Sequence, residues 1–290
     1  MIRRPSPFAA TRFGARRPSI TACLAAAILA VAVSPVHAQE ELLAQNSETP
    51  ASRSARTGDG LGSDIKAYVT APARWERREW LAFGATLGTI GLAYQYDNRT
   101  REHFVTPASP STAATDRKDF EDALPGALAL GATWLAARAL KDRDGLTEAR
   151  AMLEAAVFST TTSYVLKEAI GRQRPYDEAG RGSWSNGGDS FPSAHVAAAF
   201  AIGTVLAESG GDRYRWIRRV LGYGIGLGTA YARVDHDAHW LSDTVAGAGI
   251  GVATARFVLE RNRGRERRGR TLLLPTDGGI VFSYAMPLEH

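Results

Sequence analysis

Three short segments of the sequence combine cationic, hydroxyl and histidine side chains that can bind and cleave a phosphoryl group. They span residues 167–175 (KEAIGRQRP), 190–195 (SFPSAH) and 233–243 (RVDHDAHWLSD). A guanidinium group can hold two phosphate oxygens at once, and an ammonium group adds a compact positive charge. We therefore predict that these segments form one site for a phosphorylated substrate.

The residues predicted to hold the substrate phosphate are Lys167, Arg174, Ser193, Ala194 and Arg233. The three cations would neutralise the phosphate oxygens in place of a metal ion. Ser193 offers a hydroxyl, and the backbone N–H of Ala194 would lie at a helix N-terminus, where anions are favoured. The sequence thus predicts a reaction that needs no metal and no other cofactor.

The spacing of His239 and Asp243 allows the carboxylate to face the imidazole across one helical turn. Such a carboxylate fixes the tautomer of the ring and leaves its other nitrogen free to attack phosphorus. His195 remains to protonate the leaving oxygen. A histidine and an aspartate at this spacing are, by themselves, more often a contact on a helix surface. The combination of three segments favours the catalytic interpretation.

Six apolar segments of helical length must bring these residues together, because the polar segments lie at their ends. Asp122 and Ser193 are predicted N-caps, and Pro192 favours a helix start at Ser193. The predicted fold class is all-α, a six-helix bundle. Two β-type runs beyond it, 271–274 and 280–284, predict a small hairpin. The apolar segments are 79–95, 122–140, 149–171, 193–208, 215–232 and 240–260.

In order and spacing, these motifs resemble those of the type 2 phosphatidate phosphatase and vanadium haloperoxidase superfamily. The family pattern is Lys, six residues, Arg-Pro; then Pro-Ser-Gly-His; then Ser-Arg, five residues, His, three residues, Asp. In this chain the pattern runs from Lys167 to Asp243, and the similarity extends over about residues 79–260. The residues HWLSD, followed by Ala246-Gly247, are similar to the lipid-phosphatase branch.

The resemblance implies a six-helix fold and a role for each motif residue. It implies that His239 becomes phosphohistidine, that Asp243 orients it, and that His195 protonates the leaving group and later activates water. Two positions depart from the pattern: Ala194 stands where the family has glycine, and Ala232 where it has serine. The first keeps its backbone N–H and the second removes one hydroxyl, so we expect activity to survive both.

The expected reaction is hydrolysis of a phosphate monoester or diphosphate, with a phosphorylated lipid as the leading substrate because of the branch resemblance. Phosphatidate, phosphatidylglycerol phosphate, undecaprenyl diphosphate and a lipid A phosphate are the candidates. Three alternatives remain open: a soluble non-specific acid phosphatase, a vanadium haloperoxidase with vanadate in the same pocket, and an inactive bundle that binds a lipid or a partner. Halide-dependent oxidation would identify the second alternative, and phosphate binding without turnover the third.

The amino terminus has the features of a secretory signal peptide, with a basic region, a short apolar region and small residues before Ala38. Residues 1–38 contain five arginines and the only cysteine, Cys23. The formal net charge of the whole chain is +5, so removal of those arginines leaves a neutral chain. A neutral chain without cysteine gives no reason to expect a nucleic-acid partner, a disulfide or a cysteine-based phosphatase.

The predicted domain organisation has four parts. A signal peptide of residues 1–38 precedes a flexible linker of residues 39–65, which is rich in Ser, Thr, Gly, Gln and Glu. The helical phosphatase domain is predicted to cover residues 66–262. A basic tail with the hairpin is predicted to cover residues 263–290.

The sequence carries two opposing indications about a membrane. Charge-free runs in the six segments are about 12–17 residues long, shorter than the roughly 20 residues that a spanning helix needs. The main arginine clusters would nevertheless share one side of the bundle, as expected if it spans a membrane. We predict an extracytoplasmic, periplasmic protein that is soluble or touches anionic membrane lipid through arginines of residues 261–270. An integral inner-membrane protein with a periplasm-facing site is the alternative.

Two further features each have a structural and a functional interpretation. Residues 235–239 (DHDAH) resemble a metal site, but a polar turn that carries the nucleophile explains them without a metal. The segments 96–121 and 176–190 are predicted to be loops that cover the pocket. Loops on a rigid scaffold commonly set specificity.

Overall fold

The structure is a computed structural model, and it describes most of the predicted helical domain. The predicted signal peptide and residues 39–60 of the predicted linker lie outside the residues that it describes. Those residues are 61–104, 112–177, 182–211, 214–267, 270–276 and 279–285.

Six long helices form an antiparallel bundle, which a short helix, α1 (Leu61–Val69), precedes. Each of the six predicted apolar segments falls on one of the long helices, so the all-α prediction is confirmed. The long helices are α2 (Arg77–Phe104), α3 (Thr112–Leu140), α4 (Arg143–Ile170), α5 (Ala194–Glu208), α6 (Arg215–Asp235) and α7 (Leu241–Arg267).

The ends of α4 show why this helix stops where the site needs it to stop. The carboxylate of Asp142 accepts the backbone N–H of Asp144 at 3.0 Å and so caps the first turn. At the other end, Gly171 has a φ of 62°, and its N–H donates to the carbonyl oxygen of Lys167 at 2.8 Å. Glycine adopts this left-handed conformation without a side-chain penalty, so the chain turns sharply after Lys167 and leads the next residues into the bundle.

Three predicted boundaries are wrong. Asp122 does not cap a helix, because α3 already begins at Thr112. The supposed loop 96–121 is largely helical, since α2 extends to Phe104. Residues 61–65, the end of the predicted linker, belong to α1. Asp64 in this helix pairs with Arg261 of α7. These errors share a cause: tertiary contacts stabilise segments whose composition alone does not favour a helix.

The central helix, α5, packs against α4, α6 and α7 and is built mostly from small residues. Its closest approach is to α6 at Gly203 and Gly222. A Cβ atom at either glycine would lie 2.1 Å from the carbonyl oxygen of the other. The two backbones can therefore touch only because both positions lack a side chain, and this contact fixes the spacing of α5 and α6.

Two apolar clusters fill the bundle. One contains Met152, Phe158 and Val258 and joins α4, α5 and α7. The other contains Phe200 and Val245 and joins α5 and α7 to α2 and α6. Burial of a side chain as large as that of Phe200 contributes about 2–3 kcal/mol. The second cluster lies directly beneath the helix ends that carry the predicted site.

The two ends of the bundle differ in charge. At the end where α2, α4 and α6 finish and α3, α5 and α7 begin, carboxylates pair with the cations, as in Asp119 and Asp122 with Arg233 and Asp237 with Arg101. At the other end, the arginines of several helices reach their neighbours, as in the pairs Arg218–Glu148 (2.5 Å) and Arg256–Glu208 (2.8 Å). We call this second end the basic end. Its arginines on described helix ends are Arg77, Arg78, Arg138, Arg143, Arg215, Arg218, Arg219, Arg256, Arg261 and Arg263.

Many large apolar side chains remain exposed on the outer faces of the helices. Trp80, Trp134 and Trp216 are 51%, 46% and 69% exposed, and leucine and valine side chains lie between the aromatic ones. Within the described residues, the helical stretch Lys118–Leu140 alone is long and apolar enough to cross a membrane, and only 11% of its apolar window is buried. The bundle thus lacks a polar outer surface over much of its length.

The predicted C-terminal hairpin is present. Strands β1 (Arg270–Thr276) and β2 (Gly279–Ala285) pair in antiparallel fashion, with Leu274 opposite Val281. The predicted strands left residues 275–279 as the turn, which is too long. Pro275 and Thr276 belong to β1, and Gly279 belongs to β2. Residues 277 and 278, which connect the strands, lie outside the description.

Candidate active site

Three helix ends meet at the end of the bundle opposite to the basic end. The backbone N–H of Ser193 donates to the carbonyl oxygen of Asp243 at 3.1 Å, which joins α5 to α7. The ammonium of Lys167 donates to the carbonyl oxygen of Asp189 and lies 3.5 Å from that of Ser190, which joins α4 to the segment before α5. The three motif segments therefore form one cluster.

His239 and Asp243 form the centre of this cluster. Nδ1 of His239 lies 3.6 Å from Oδ2 of Asp243, and both side chains are buried. The same oxygen accepts the backbone N–H of Trp240 at 2.9 Å, as an acidic residue in a first helical turn often does. The sequence analysis placed His239 and Asp243 on one helical turn, but His239 precedes the first residue of α7. The capping hydrogen bond from Trp240 is therefore what holds Asp243 near the imidazole. Nε2 of His239 is the ring nitrogen that faces away from the carboxylate.

The two arginines of the predicted phosphate site are paired with carboxylates. Arg174 donates through Nε and Nη2 to the two oxygens of Asp189, each at 2.6 Å. Arg233 donates through Nη1 to Asp122 at 3.0 Å and also to Asp119. Sequence reasoning missed all three carboxylates. A bound phosphate would have to compete with them for the guanidinium groups or use the nitrogens that they leave unpaired.

Several buried donors at this cluster have no hydrogen-bond partner among the described residues. They are the hydroxyl of Ser193, the Nε and Nη2 groups of Arg233, and Nδ1 of His239, which at 3.6 Å from Asp243 is too far for a hydrogen bond. The first N–H groups of α5, beginning at Ala194, also lack partners within the helix, as at every helix start. A buried donor without a partner costs about 1–3 kcal/mol. An anion that accepts from these groups would therefore be stabilised here.

The surrounding charges act on the nucleophile candidate. Burial, together with the positive charges of Arg233, Lys167 and Arg174, lowers the pKa of His239 well below the ordinary histidine value. At neutral pH its imidazole is therefore uncharged and carries a free lone pair. The hydrogen bonds from Arg174 lower the pKa of Asp189 to about 2, so that ion pair persists at physiological pH.

His195 occupies the second position of α5 and is only partly buried. It interacts electrostatically with Arg233, Lys167, Asp119 and Asp122, so it belongs to the same cluster. It also acts on His239. A histidine that reaches both the buried phosphate donors and solvent is well placed to exchange a proton with a leaving group or with water.

A buried ionic group beneath the catalytic pair was not anticipated. Arg172 is fully buried and donates to Asp243 Oδ1 at 2.6 Å and to Asp97 Oδ2 at 2.7 Å. The hydroxyl of Ser190 donates to Asp243 Oδ2 at 2.5 Å. Arg172 lies inside a motif segment and could have been suspected. Asp97 has no such signal, because only the fold brings α2 to this position.

The residues that resembled a metal site have other partners. Asp237 pairs with Arg101 at 2.7 Å, and Nδ1 of His236 lies 3.2 Å from Asp122. In the part of the chain that the structure describes, no group of three or more His, Cys, Asp or Glu side chains is arranged to hold a metal ion. Asp235 is exposed.

Comparison with known proteins gives three findings. Residues 148–267, which contain every predicted site residue, match the family model of the PAP2 superfamily. A curated relative, the lipid A 1-phosphatase of Porphyromonas gingivalis, is 35% identical over 86 residues, or 30% of this chain, and the match covers only 17% of that relative's length. The crystal structure of LpxE from Aquifex aeolicus is similar at 19% identity and a TM-score of 0.38, over 59% of this chain and 94% of that one.

Proposed function

We propose that this chain, whose residues 148–267 match the PAP2 superfamily model, is a member of that superfamily and hydrolyses the phosphate of a phosphorylated lipid. The intermediate is a phosphohistidine at His239. The observation that carries the proposal is a buried imidazole that faces a carboxylate, surrounded by cations and by unpaired donors. Such an arrangement favours the charge that develops on phosphorus and on the ring during transfer.

In the first step, the lone pair on Nε2 of His239 attacks phosphorus, and the bond from phosphorus to the leaving oxygen breaks. His195 gives its proton to that oxygen. Asp243 faces Nδ1 and balances the positive charge that the ring acquires. Lys167, Arg174 and Arg233, with the hydroxyl of Ser193 and the N–H of Ala194, hold the remaining phosphate oxygens.

In the second step, His195 removes a proton from a water molecule, and the resulting oxygen attacks phosphorus on the face opposite to the ring. The bond between phosphorus and Nε2 breaks, and its electron pair returns to His239. Inorganic phosphate leaves, and His195 keeps the proton that the next turnover needs. The cycle consumes one water molecule and restores both histidines.

A lipid substrate is favoured by the outer surface of the bundle. Exposed aromatic rings occur at two levels, with Trp216 and Tyr231 on α6 and Phe120 and Trp134 on α3. The rise between them is about 22 Å on α6 and about 21 Å on α3. Aromatic belts at two levels with aliphatic residues between them are typical of membrane proteins. Their spacing is less than a hydrocarbon core of about 30 Å, so the bilayer would thin locally or the belts would lie within it.

The same surface favours the alternative location over a soluble or peripheral bundle. We propose that the helices are embedded in the inner membrane and that the substrate's acyl chains share its hydrocarbon. The basic end then lies in the cytoplasm, as the positive-inside rule requires, and the site faces the periplasm. In this orientation the amino end of α2 lies in the cytoplasm. Cleavage of an export signal after Ala38 would leave the new amino terminus on the other side of the membrane, so the two predictions agree only if the chain between Ala38 and α2 crosses the membrane.

The proposed reaction is tested with detergent-purified full-length protein. Phosphate release is measured from a lipid A 1-phosphate, from phosphatidate and from a soluble aryl phosphate, with and without EDTA. We expect faster release from a lipid than from the aryl ester, and no loss in EDTA. Acid quenching after mixing with 32P-labelled lipid should leave phosphate on the protein that is stable to base and labile to acid.

The variant His239→Ala should lose both the label and at least a thousandfold in rate, because the substitution removes the group that accepts the phosphoryl group. His103→Ala is the matched control, because this histidine is exposed in the last turn of α2. A label that survives in His239→Ala would contradict the assignment. Turnover of the aryl phosphate alone would leave the chemistry intact and point to the soluble acid phosphatase.

A further inference from the structure

We infer that Arg172 is a positioning residue, which holds Asp243 so that one carboxylate oxygen faces His239, and that Asp97 of α2 anchors Arg172 in turn. The inference rests on the proposed function, because Asp243 matters to the rate only if His239 attacks phosphorus. It adds two residues to the site, and one of them, Asp97, lies outside the segment that matches the family.

The hydrogen bonds of Asp243 divide between its two oxygens. Oδ1 accepts from Arg172 Nη1, and Oδ2 accepts from Ser190 and from the backbone N–H of Trp240. Oδ2 is also the oxygen 3.6 Å from His239 Nδ1. The guanidinium therefore occupies the far side of the carboxylate, which cannot rotate without breaking the bond to Oδ1.

Arg172 is itself held on every side that the structure describes. Its Nη2 donates to Asp97 Oδ2, and Ser242 ties the same region together, because its hydroxyl and its N–H both donate to Asp97. The rings of Tyr94, Trp184 and Trp240 lie 5.3, 4.6 and 5.2 Å from the guanidinium carbon. Aromatic faces attract a guanidinium, and they also exclude water from it.

The backbone around Arg172 is equally constrained. Its carbonyl oxygen accepts the N–H of Ser190 at 2.9 Å, which ties it to the segment before α5. A Cβ at Gly188 would lie 2.2 Å from that carbonyl oxygen, so the segment can pass over Arg172 only as glycine. Arg172 is thus fixed by α2, by α7 and by the segment between α4 and α5.

The charges of this group suit the reaction. Asp97 and Asp243 carry two negative charges and Arg172 one positive charge, all with fully buried side chains. The net charge of the group, one negative, matches the positive charge that the imidazole acquires when it attacks. A guanidinium that reaches two carboxylates with separate nitrogens performs this task, whereas a lysine ammonium is a single point charge.

The test compares Arg172→Lys, Asp97→Asn and the double variant Arg172→Gln/Asp97→Asn with the wild-type protein. The double variant removes one charge of each sign, so the net charge of the buried group stays at one negative, whereas Arg172→Gln alone would leave two buried carboxylates without a cation. Arg99→Gln is the matched control, because this arginine is exposed on α2 close to Asp97. Folding is verified by thermal unfolding in detergent, and kcat and KM are measured for one substrate.

For the double variant we expect kcat to fall about a hundredfold or more, while KM and the inhibition constant of inorganic phosphate, a ground-state ligand, change less than threefold. The labelled phosphoenzyme should form more slowly. The acid limb of the pH–rate profile should move to higher pH, because Asp243 loses the cation that favours its charged form. Arg172→Lys should fall between the double variant and the wild type.

A folded double variant with wild-type kcat and an unshifted acid limb would overturn the inference. A loss of activity that only follows the folded fraction, or that appears equally in kcat and in the binding of inorganic phosphate, would overturn it as well. An inactive wild-type protein would instead refute the proposed function, so the two failures are distinguishable.

Discussion

The chemistry of this site depends on a histidine that stays neutral. His239 lies at the centre of three cations, and burial and those cations both disfavour a fourth positive charge. A histidine in water is half protonated near pH 6.5 and would then be a poor nucleophile. In the proposed mechanism, the folded pocket therefore keeps the ring ready for attack before a substrate binds.

The first prediction concerns the acid limb of activity. Because the pKa of His239 is lowered, the neutral ring persists as pH falls below the ordinary histidine value. We expect kcat/KM, corrected for the second ionisation of the substrate, to rise from pH 7 towards pH 6, as His195 gains the proton that it gives to the leaving oxygen, and to decline only at lower pH, where His239 becomes protonated. The measurement is a pH–rate profile with a soluble aryl phosphate. An acid limb at or above pH 6.5 would show that the charges around His239 do not act as described.

The second prediction concerns competition for Arg174. Asp189 accepts from Nε and Nη2 of Arg174. Because the pKa of Asp189 is lowered to about 2, the carboxylate stays charged and keeps both hydrogen bonds from pH 4 to 7. The pair stabilises the fold above the ordinary carboxyl pKa and ceases to do so as pH falls towards 2. Asp189→Asn should free Arg174 for phosphate and lower KM and the inhibition constant of phosphate by roughly two- to fivefold, the size of a partly exposed ion pair.

Asp177→Asn is the control for this substitution, because it removes an exposed carboxylate from the neighbouring turn. Its KM should stay within a factor of about two of the wild type, as most exposed changes do. If Asp189→Asn raises KM, the carboxylate positions Arg174 for phosphate and does not compete with it.

At the scale of elements, the site depends on how closely the helices approach. Ser193 and His195 start α5, Arg233 lies near the end of α6, and the contact of Gly203 with Gly222 sets the separation of the two helices. A small outward movement of α6 would separate Arg233 from the donors at the start of α5. Such a displacement of about an ångström can lower a rate substantially.

The third prediction tests this contact with two substitutions on one helix. Gly222→Ala places a Cβ 2.1 Å from the carbonyl oxygen of Gly203, whereas Gly224→Ala meets nothing within 4 Å. We expect Gly222→Ala to lower the free energy of unfolding by about 1–3 kcal/mol through overpacking and to reduce kcat/KM. Gly224→Ala should be neutral or stabilise by up to about 1 kcal/mol, because alanine favours a helix. Equal effects of the two changes would argue against a fixed α5–α6 contact.

At the scale of the whole molecule, the charge difference between the two ends and the exposed apolar surface point to one orientation in a membrane. The fourth prediction uses the single cysteine of the chain, Cys23. In a Cys23→Ser background, Asn186→Cys is placed on the site end and Asp144→Cys on the basic end. Both positions are exposed. In intact spheroplasts, a maleimide that cannot cross membranes should label the first variant and not the second.

The control for this labelling is lysis, after which both variants should react. Extraction with carbonate should leave the protein in the membrane, and detergent should release it. Labelling of both variants in intact spheroplasts, or release by carbonate, would favour the soluble or peripheral bundle. Amino-terminal sequencing of the same material would show whether residues 1–38 are removed.

The sequence by itself predicted the helices and the members of the proposed site. Six apolar segments of helical length predicted six helices, because the periodicity of a helix is a local property. Lys167, Ser193, His195, Arg233, His239 and Asp243 were identified by residue type and by spacing within short motifs, and the structure brings them together. Helix ends were harder to predict: α3 begins ten residues before Asp122, which serves as a partner of Arg233 and not as a cap.

Only the tertiary structure decided which groups control these residues. Asp97 and Arg172 are far apart in the chain, and nothing near Asp97 marks it as a partner of the catalytic pair. The carboxylates that hold Arg174 and Arg233 were likewise unmarked as partners of these arginines. The physical reason is range: helix formation depends on neighbours a few residues away, whereas a buried charge can pair with any residue that the packed helices bring within a few ångströms.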